Sequence, residues 1–137
     1  MSDQNDKELH VLIVEDNNIN QKIIKVFVGK LGHQCVLAEN GKEAVDLFEK
    51  NKFDCILMDI QMPVMDGIEA TQHIRAIEQQ RQDEPYTPII AVTASSPFED
   101  QQEFINAGMD EYIPKPVSLQ KLKNVLERVK NSAYQKH

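Results

Sequence analysis

The stretch LHVLIVED, residues 9–16, decides how the chain folds. Its first six residues are mostly branched apolar side chains with no regular polar alternation, which is typical of a strand buried on both faces of a parallel sheet. Two carboxylates, Glu15 and Asp16, follow directly. We therefore interpret the stretch as a core strand that places two acids at one edge of a sheet.

Four more short apolar runs follow, and each is separated from the next by a stretch of helical character. They are HQCVLA (33–38), FDCILM (53–58), PIIAVT (88–93) and EYIP (111–114). The first and last of these four are the less hydrophobic, as edge strands are. Strands that alternate with helices predict right-handed crossovers and one parallel sheet covered on both faces.

Capping residues mark where the helices begin. Asn17 or Asn18 can cap the first helix, and Asn40, Asp66 and Ser118 precede the second, third and fifth. The fourth has a capping box, SPFE at residues 96–99, with proline at the first helical position. The polar segment 79–87 is predicted to be an exposed, mobile loop.

Size and charge limit the function. The chain has 137 residues and a net charge of −7, which fits one globular domain and disfavours nucleic-acid or membrane-surface binding. No apolar run reaches the roughly 20 residues of a membrane span, and the N-terminus lacks a signal-peptide core, so we expect a cytoplasmic protein. We predict a flexible tail over residues 1–8, one domain over 9–131 and a second tail over 132–137. Cys35 and Cys55 are interpreted as small apolar residues.

The carboxyl ends of the predicted strands carry the polar residues that suggest chemistry. Glu15 and Asp16 follow the first strand, Asp59 follows the third, and Thr93 and Lys115 end the fourth and fifth. Three carboxylates at one sheet edge would repel one another unless a cation lay among them, and Mg²⁺ prefers oxygen ligands. The lysine and the threonine hydroxyl would complete a pocket for a phosphoryl group. Asp59 is placed centrally as the nucleophile, whereas Glu15 and Asp16 fit metal ligation better.

Four motifs at these strand ends match one family. They are VEDN (14–17), MDIQMPVMDG (58–67), VTA (92–94) and YIPKP (112–116). Over roughly residues 9–130 the chain resembles the receiver domain of bacterial response regulators. The phrase VEDNNINQ (14–21) is similar to the receivers of hybrid sensor histidine kinases, in which glutamate at the first acidic position is common.

The resemblance implies a flavodoxin-like α/β fold, a five-stranded parallel sheet in the order 2-1-3-4-5 flanked by five helices. It implies that Asp59 is the phosphoacceptor. Asp16, Asp59 and the backbone carbonyl of Gln61 would ligate Mg²⁺, for which Mn²⁺ would be a substitute, and Glu15 would act through a water.

The resemblance also implies how the phosphoryl group is held and sensed. Lys115 would pair with it and Thr93 would hydrogen-bond it, while Tyr112 would rotate inward and reshape the surface of the fourth helix, fifth strand and fifth helix. The bond before Pro116 is expected to be cis. The domain would be a signalling module rather than an enzyme, although it would assist its own phosphorylation and slow dephosphorylation. Its donor would be a histidine kinase or a histidine phosphotransfer domain, and phosphorylation could be linked to dimerisation.

Two other functions share parts of this pattern. A Mg²⁺-dependent phosphohydrolase with an aspartate nucleophile would need an acid two residues after Asp59, where the chain has Gln61. A flavin-binding protein would need a Ser/Thr/Gly-rich phosphate loop after the first strand, and the acids at 15–16 would repel that phosphate.

The first helix has two apolar stripes. Ile24, Phe27, Val28 and Leu31 should face the sheet, and Ile19, Ile23 and Val26 form a second stripe rotated from it by roughly 125°. Two explanations of the second stripe stay open: lateral packing against the fifth helix, or docking of the histidine-bearing partner by Ile19 and Ile23.

Overall fold

Five strands and five helices alternate along the chain. The computed structural model describes residues 8–81, 86–94, 97–131 and 134, with the backbone alone for 97–101. The strands are β1 (His10–Val14), β2 (Gln34–Ala38), β3 (Cys55–Asp59), β4 (Ile89–Thr93) and β5 (Glu111–Pro114). The helices are α1 (Asn18–Lys30), α2 (Gly41–Lys50), α3 (Gly67–Gln80), α4 (Pro97–Ala107) and α5 (Leu119–Lys130).

All neighbouring strands run parallel, in the order β2-β1-β3-β4-β5. This confirms the predicted fold and places β3 at the centre and β2 and β5 at the edges. The predicted tails lie outside the described residues, apart from Glu8 and Tyr134. Within the described part of the chain, no helix combines the length and the apolar character needed to cross a bilayer.

The sheet separates two apolar cores. One core lies between the sheet and α1 and α5, and the other lies between the sheet and α2, α3 and α4. Strand residues alternate between the two because successive side chains point to opposite faces. In β4, for example, Ile90 and Val92 belong to the first core, and Ile89 and Ala91 belong to the second.

Side-chain caps fix the start of four helices close to the site. The N-caps are Asn17 for α1, Asn40 for α2, Asp66 for α3 and Ser118 for α5, and each side chain accepts a backbone hydrogen bond. α4 begins at Pro97, as predicted. The side chains of its predicted capping box lie outside the described residues.

The two stripes of α1 meet different surroundings. Ile24 and Val28 are buried, and Phe27 and Leu31 pack partly against the same core. In the second stripe Ile19 is 69% exposed, Ile23 42% and Val26 52%. Burial against α5 therefore does not explain the second stripe.

The prediction of an exposed, mobile loop over 79–87 is wrong at both ends. α3 continues through Gln80, and Thr87 is buried. The guanidinium of Arg75 donates to the Thr87 and Gly108 carbonyls and to Asp110 Oδ2. This partly buried network ties α3 to the segments before β4 and β5, so hydrogen bonds hold the end of the predicted loop at Thr87. Residues 82–85 lie outside the described part.

Candidate functional site

Three charged residues lie at the ends of strands or just past them, in line with the side chains that face the core under α1 and α5. Glu15, Asp59 and Lys115 each stand two positions after a residue of the core under α1 and α5, namely Ile13, Leu57 and Ile113. Ladder-type hydrogen bonds extend beyond the strands, from Glu15 N to Ala38 O at 3.0 Å and from Ile60 N to Val92 O at 3.3 Å. The alternation of the strands therefore brings the three side chains to one face of one edge.

The site residues lie within direct contact of one another. Lys115 Nζ is 3.1 Å from Asp59 Oδ1 and 3.3 Å from Glu15 Oε1. One carboxylate oxygen each from Glu15, Asp16 and Asp59 lies within 4.8 Å of the other two. Glu15 and Asp59 are 1% and 2% exposed, whereas Asp16 is open to solvent. The cluster thus has two buried carboxylates, Glu15 and Asp59, and one that solvent can reach, Asp16.

Backbone groups fix the two buried acids. Asn17 N donates to Glu15 Oε2 at 3.2 Å, and Gln61 N makes a long contact of 3.4 Å with Asp59 Oδ1. Glu15 Oε1 and Asp59 Oδ2 are buried without a hydrogen-bond partner among the described residues, although Glu15 Oε1 is within ion-pair distance of Lys115. Two such oxygens are costly in a folded protein unless a further group binds there.

Burial shifts the protonation of this cluster. It raises the pKa of Glu15 to about 7, and its contact with Asp59 acts in the same direction, against the opposing effects of the Asn17 N–H and Lys115. For Lys115, burial lowers the pKa, but the hydrogen bond and the attraction to Asp59 and the charge of Glu15 outweigh it, so the net pKa is raised. The charged form of Lys115 is thus stabilised by the Asp59 and Glu15 carboxylates beside it.

The donor set fits a hard divalent cation. Carboxylate oxygens within 4.8 Å of one another, two of them without a hydrogen-bond partner in the described part of the chain, are the ligands that Mg²⁺ prefers, and the exposed Asp16 leaves room for its waters. Among the described residues, this is the one group of three acidic, histidine or cysteine side chains close enough to hold a metal ion.

Thr93 and Tyr112 lie on the other face of the sheet edge. Ala91 pairs with Tyr112, and Thr93 pairs with Pro114. Because paired and alternate residues share a face, Thr93 and Tyr112 are diagonal neighbours on the side of α4. Thr93 is buried and Tyr112 is 37% exposed. Lys115 N donates to Thr93 O at 2.9 Å, and the bond between Lys115 and Pro116 is cis.

Gln21 is a contact that the sequence reasoning missed. It is buried, and its Nε2 donates to Glu15 O at 2.5 Å. The sequence did indicate its burial: Gln21 stands three residues before Ile24 and seven before Val28. This spacing puts a polar side chain on the sheet-facing stripe of α1.

A groove of about 340 Å³ adjoins the acidic cluster. Glu15 and Lys115 form part of its wall, and the rest comes from α1 and the segment after β5: Asn20, Ile23, Ile24, Pro116 and Val117. The exposed Ile23 therefore lines a depression that leads to the site, and Ile19 lies exposed one turn earlier on the same helix.

The sequence matches the response regulator receiver domain model over residues 11–127. It is 43% identical to hybrid signal transduction histidine kinase I of Dictyostelium discoideum over 121 residues, which cover 85% of this chain and 7% of that protein. It is 37% identical to the sensor histidine kinase RcsC of Escherichia coli, covering 96% of this chain and 14% of RcsC. The chain thus spans a small fraction of the length of these relatives.

Two solved structures share the fold closely. The receiver domain of Saccharomyces cerevisiae Ssk1, in a co-crystal with the histidine phosphotransfer protein Ypd1, has a TM-score of 0.87 and 36% identity, covering 92% of this chain and 91% of that one. The receiver domain of the Pseudomonas aeruginosa kinase PA1611, with magnesium in its active-site cleft, has a TM-score of 0.79 and 38% identity, covering 91% and 99%. The family match, these relatives and the acidic cluster agree: the chain belongs to the response regulator receiver domains, the phosphoacceptor modules of two-component phosphorelays.

Proposed function

We propose that Asp59 accepts a phosphoryl group from a phosphohistidine in the presence of Mg²⁺. The observation that carries this proposal is the meeting of three carboxylates and Lys115 at one sheet edge, with Asp59 Oδ2 free of hydrogen bonds among the described residues. A carboxylate must keep an oxygen free to attack phosphorus. The transfer would break the N–P bond of the donor histidine and form an O–P bond to Asp59.

Asp16, Asp59 and the backbone carbonyl of Gln61 would hold Mg²⁺, and Glu15 would act through a water. When bound, the ion supplies charge neutralisation for the phosphoryl oxygens; Mn²⁺ could replace it. Lys115 lies 3.1 Å from Asp59 in the unphosphorylated domain. Its ammonium would pair with the phosphoryl group after transfer, so Lys115 would face an anionic oxygen on residue 59 in both states. The same electrostatics would support self-phosphorylation from small phosphodonors and slow hydrolysis of the acyl phosphate.

Phosphorylation would be sensed on the α4 side of the sheet. The Thr93 hydroxyl would move toward the phosphoryl group and donate a hydrogen bond to it. Tyr112, the diagonal neighbour of Thr93, would then turn inward into the space that the Thr93 side chain leaves. The partly exposed position of Tyr112 supports this movement because its ring is not locked in a core. The surface of α4, β5 and α5 would change and bind downstream partners, or a second copy of the phosphorylated domain.

The donor would be a histidine kinase or a histidine phosphotransfer domain in the cytoplasm. Ile19 and Ile23 would dock its histidine-bearing helix, since both are exposed apolar residues close to the acidic cluster. α1 carries Lys22, Lys25 and Lys30 and no acidic residue, although the whole chain is acidic. An apolar helix flanked by carboxylates would complement this face.

The test of the phosphoacceptor is labelling by acetyl phosphate. With Mg²⁺, intact-mass spectrometry should show one added phosphoryl group, and Asp59→Asn should abolish it. Asp46→Asn, which removes an exposed acid on α2, is the matched control and should label normally. An adduct that forms equally in EDTA, or that persists in Asp59→Asn, would contradict the proposal.

A further inference from the structure

Besides the sheet-type bond from Ile60 N to Val92 O and the first helical bond of α3, three backbone hydrogen bonds fix the loop between β3 and α3, residues 60–66, which carries Gln61. Two are made within the loop and its junction with α3: Met65 N to Pro63 O at 2.7 Å and Gly67 N to Ile60 O at 2.9 Å. The third comes from another element, from Gly41 N at the start of α2 to Met65 O at 3.1 Å. α2 therefore holds the loop from outside.

Gly41 fits this position because it lacks a side chain. A Cβ at residue 41 would lie 2.4 Å from Met65 O and 3.0 Å from the Cβ of Ala70. The nearest atom belongs to the backbone, so the clash could be relieved only by moving the loop or α2. The first turn of α2 is itself fixed, since Asn40 Oδ1 accepts from Glu43 N at 2.8 Å.

The loop also contains a strained residue. Val64 has a φ of 70° at the centre of the turn closed by Met65 N and Pro63 O, and its side chain is 78% exposed. A β-branched residue with positive φ is strained and persists only when its surroundings hold it. The hydrogen bond from Gly41 N is accepted by Met65 O, in the residue that directly follows Val64. We read the loop as a strained segment that α2 keeps in one conformation.

From these contacts we propose that Gly41 is a positioning residue for the Mg²⁺ site. By holding Met65 O, it keeps the loop, and with it Gln61, in register with Asp59. The inference rests on the proposed function, in which Asp59 and the Gln61 carbonyl ligate Mg²⁺. Gln61 N already lies 3.4 Å from Asp59 Oδ1, so a shift of the loop would displace a ligand that borders the phosphoacceptor directly.

The test is Mg²⁺ affinity, measured by titration with NMR or calorimetry. Gly41→Ala should weaken binding about tenfold or more, since displacements of about 1 Å at a preorganised site cost factors of that size or larger. Gly29→Ala is the matched control, because a Cβ there meets nothing within 4 Å, and its affinity should be unchanged. The double variant Gly41→Ala/Val64→Gly should bind Mg²⁺ at least threefold more tightly than Gly41→Ala, because a turn without the strained valine can move away from the new Cβ.

Folded Gly41→Ala with wild-type Mg²⁺ affinity would overturn the proposal. If that variant does not fold, hydrogen exchange in the unaltered domain decides: saturating Mg²⁺ should slow exchange of the Gly41 N–H severalfold, because coupling between two sites is reciprocal. Exchange that does not respond to bound Mg²⁺ would equally overturn it. A wild-type domain that binds no Mg²⁺ would instead contradict the proposed function.

Discussion

Glu15 is the residue whose surroundings most affect the chemistry of the site. Its pKa is raised from an ordinary value of 4.5 to about 7, first by burial and then by its contact with Asp59. The protonated form is therefore favoured in the folded, metal-free domain between these two values. The stability that this gives is fully present below about pH 4.5 and is lost as the pH rises through about 7. A bound cation would reverse the preference by favouring the charged carboxylate.

We therefore expect Mg²⁺ affinity to depend on pH through Glu15. As the pH falls below about 7, the apparent Kd should rise by up to tenfold per pH unit, because binding must release the proton of Glu15. Titrations between about pH 5.5 and 8 measure this slope, a window that lies above the ordinary pKa values of Asp. Glu15→Gln should bind Mg²⁺ more weakly than the wild-type domain at the upper end of this pH range. It should also lose most of the pH dependence of the apparent Kd. Equal slopes in the two proteins would show that another group controls the affinity.

At the scale of secondary-structure elements, α1 shows what the sequence could and could not predict. Its sheet-facing stripe was predictable because Ile24 and Val28 repeat with the helical period, and both are buried. The surroundings of Ile23 were not predictable, since they depend on how far α1 lies from α5. The Arg75 network was missed for a similar reason: Asp110 is 35 residues away along the chain, and no local pattern pairs the two.

Ile23 and Ile24 form a matched pair for separating docking from packing. Ile24→Ala should lower the free energy of unfolding by about 2–4 kcal/mol, because it empties a core position that is 3% exposed. Ile23→Ala should cost less than about 1 kcal/mol, since its side chain is 42% exposed. Urea denaturation measures both losses.

The same pair tests the docking surface. Ile23→Ala should slow phosphotransfer from a phosphorylated histidine phosphotransfer protein about tenfold, since truncating an interface side chain that contributes to binding costs about 1–2 kcal/mol. Labelling by acetyl phosphate should stay within about twofold. Phosphotransfer at the wild-type rate would remove Ile23 from the interface. A large loss of stability in Ile23→Ala would show instead that it is a packing residue.

At the scale of the whole molecule, the two ends of the sheet have different roles. The carboxyl ends of the strands carry Glu15, Asp59 and Lys115, whose placement the strand pattern predicted because alternation and parallel order bring them to one edge. The opposite end carries the Arg75 network, which ties the segment after α4 to α3. α4 is thus anchored at its C-terminal end, beside Gly108, while its N-terminal end follows the strand that ends in Thr93. A signal from the site would then move the near end of α4 against a fixed far end.

Beryllofluoride, a mimic of the aspartyl phosphate, should test this arrangement by NMR. With Mg²⁺, we expect amide shifts to change not only beside Asp59 and Lys115 but also from Ala94 to Tyr112, because the inward turn of Tyr112 changes the packing of α4 and β5. In Thr93→Ala the mimic should still bind, since Asp59 and Lys115 are intact, but the changes should stop at the site. A ligand shifts a two-state equilibrium only if it interacts differently with the two states, and the Thr93 hydroxyl is the group proposed to make that difference. Changes confined to the ion's neighbours in the wild-type domain would show that Thr93 and Tyr112 do not form a switch.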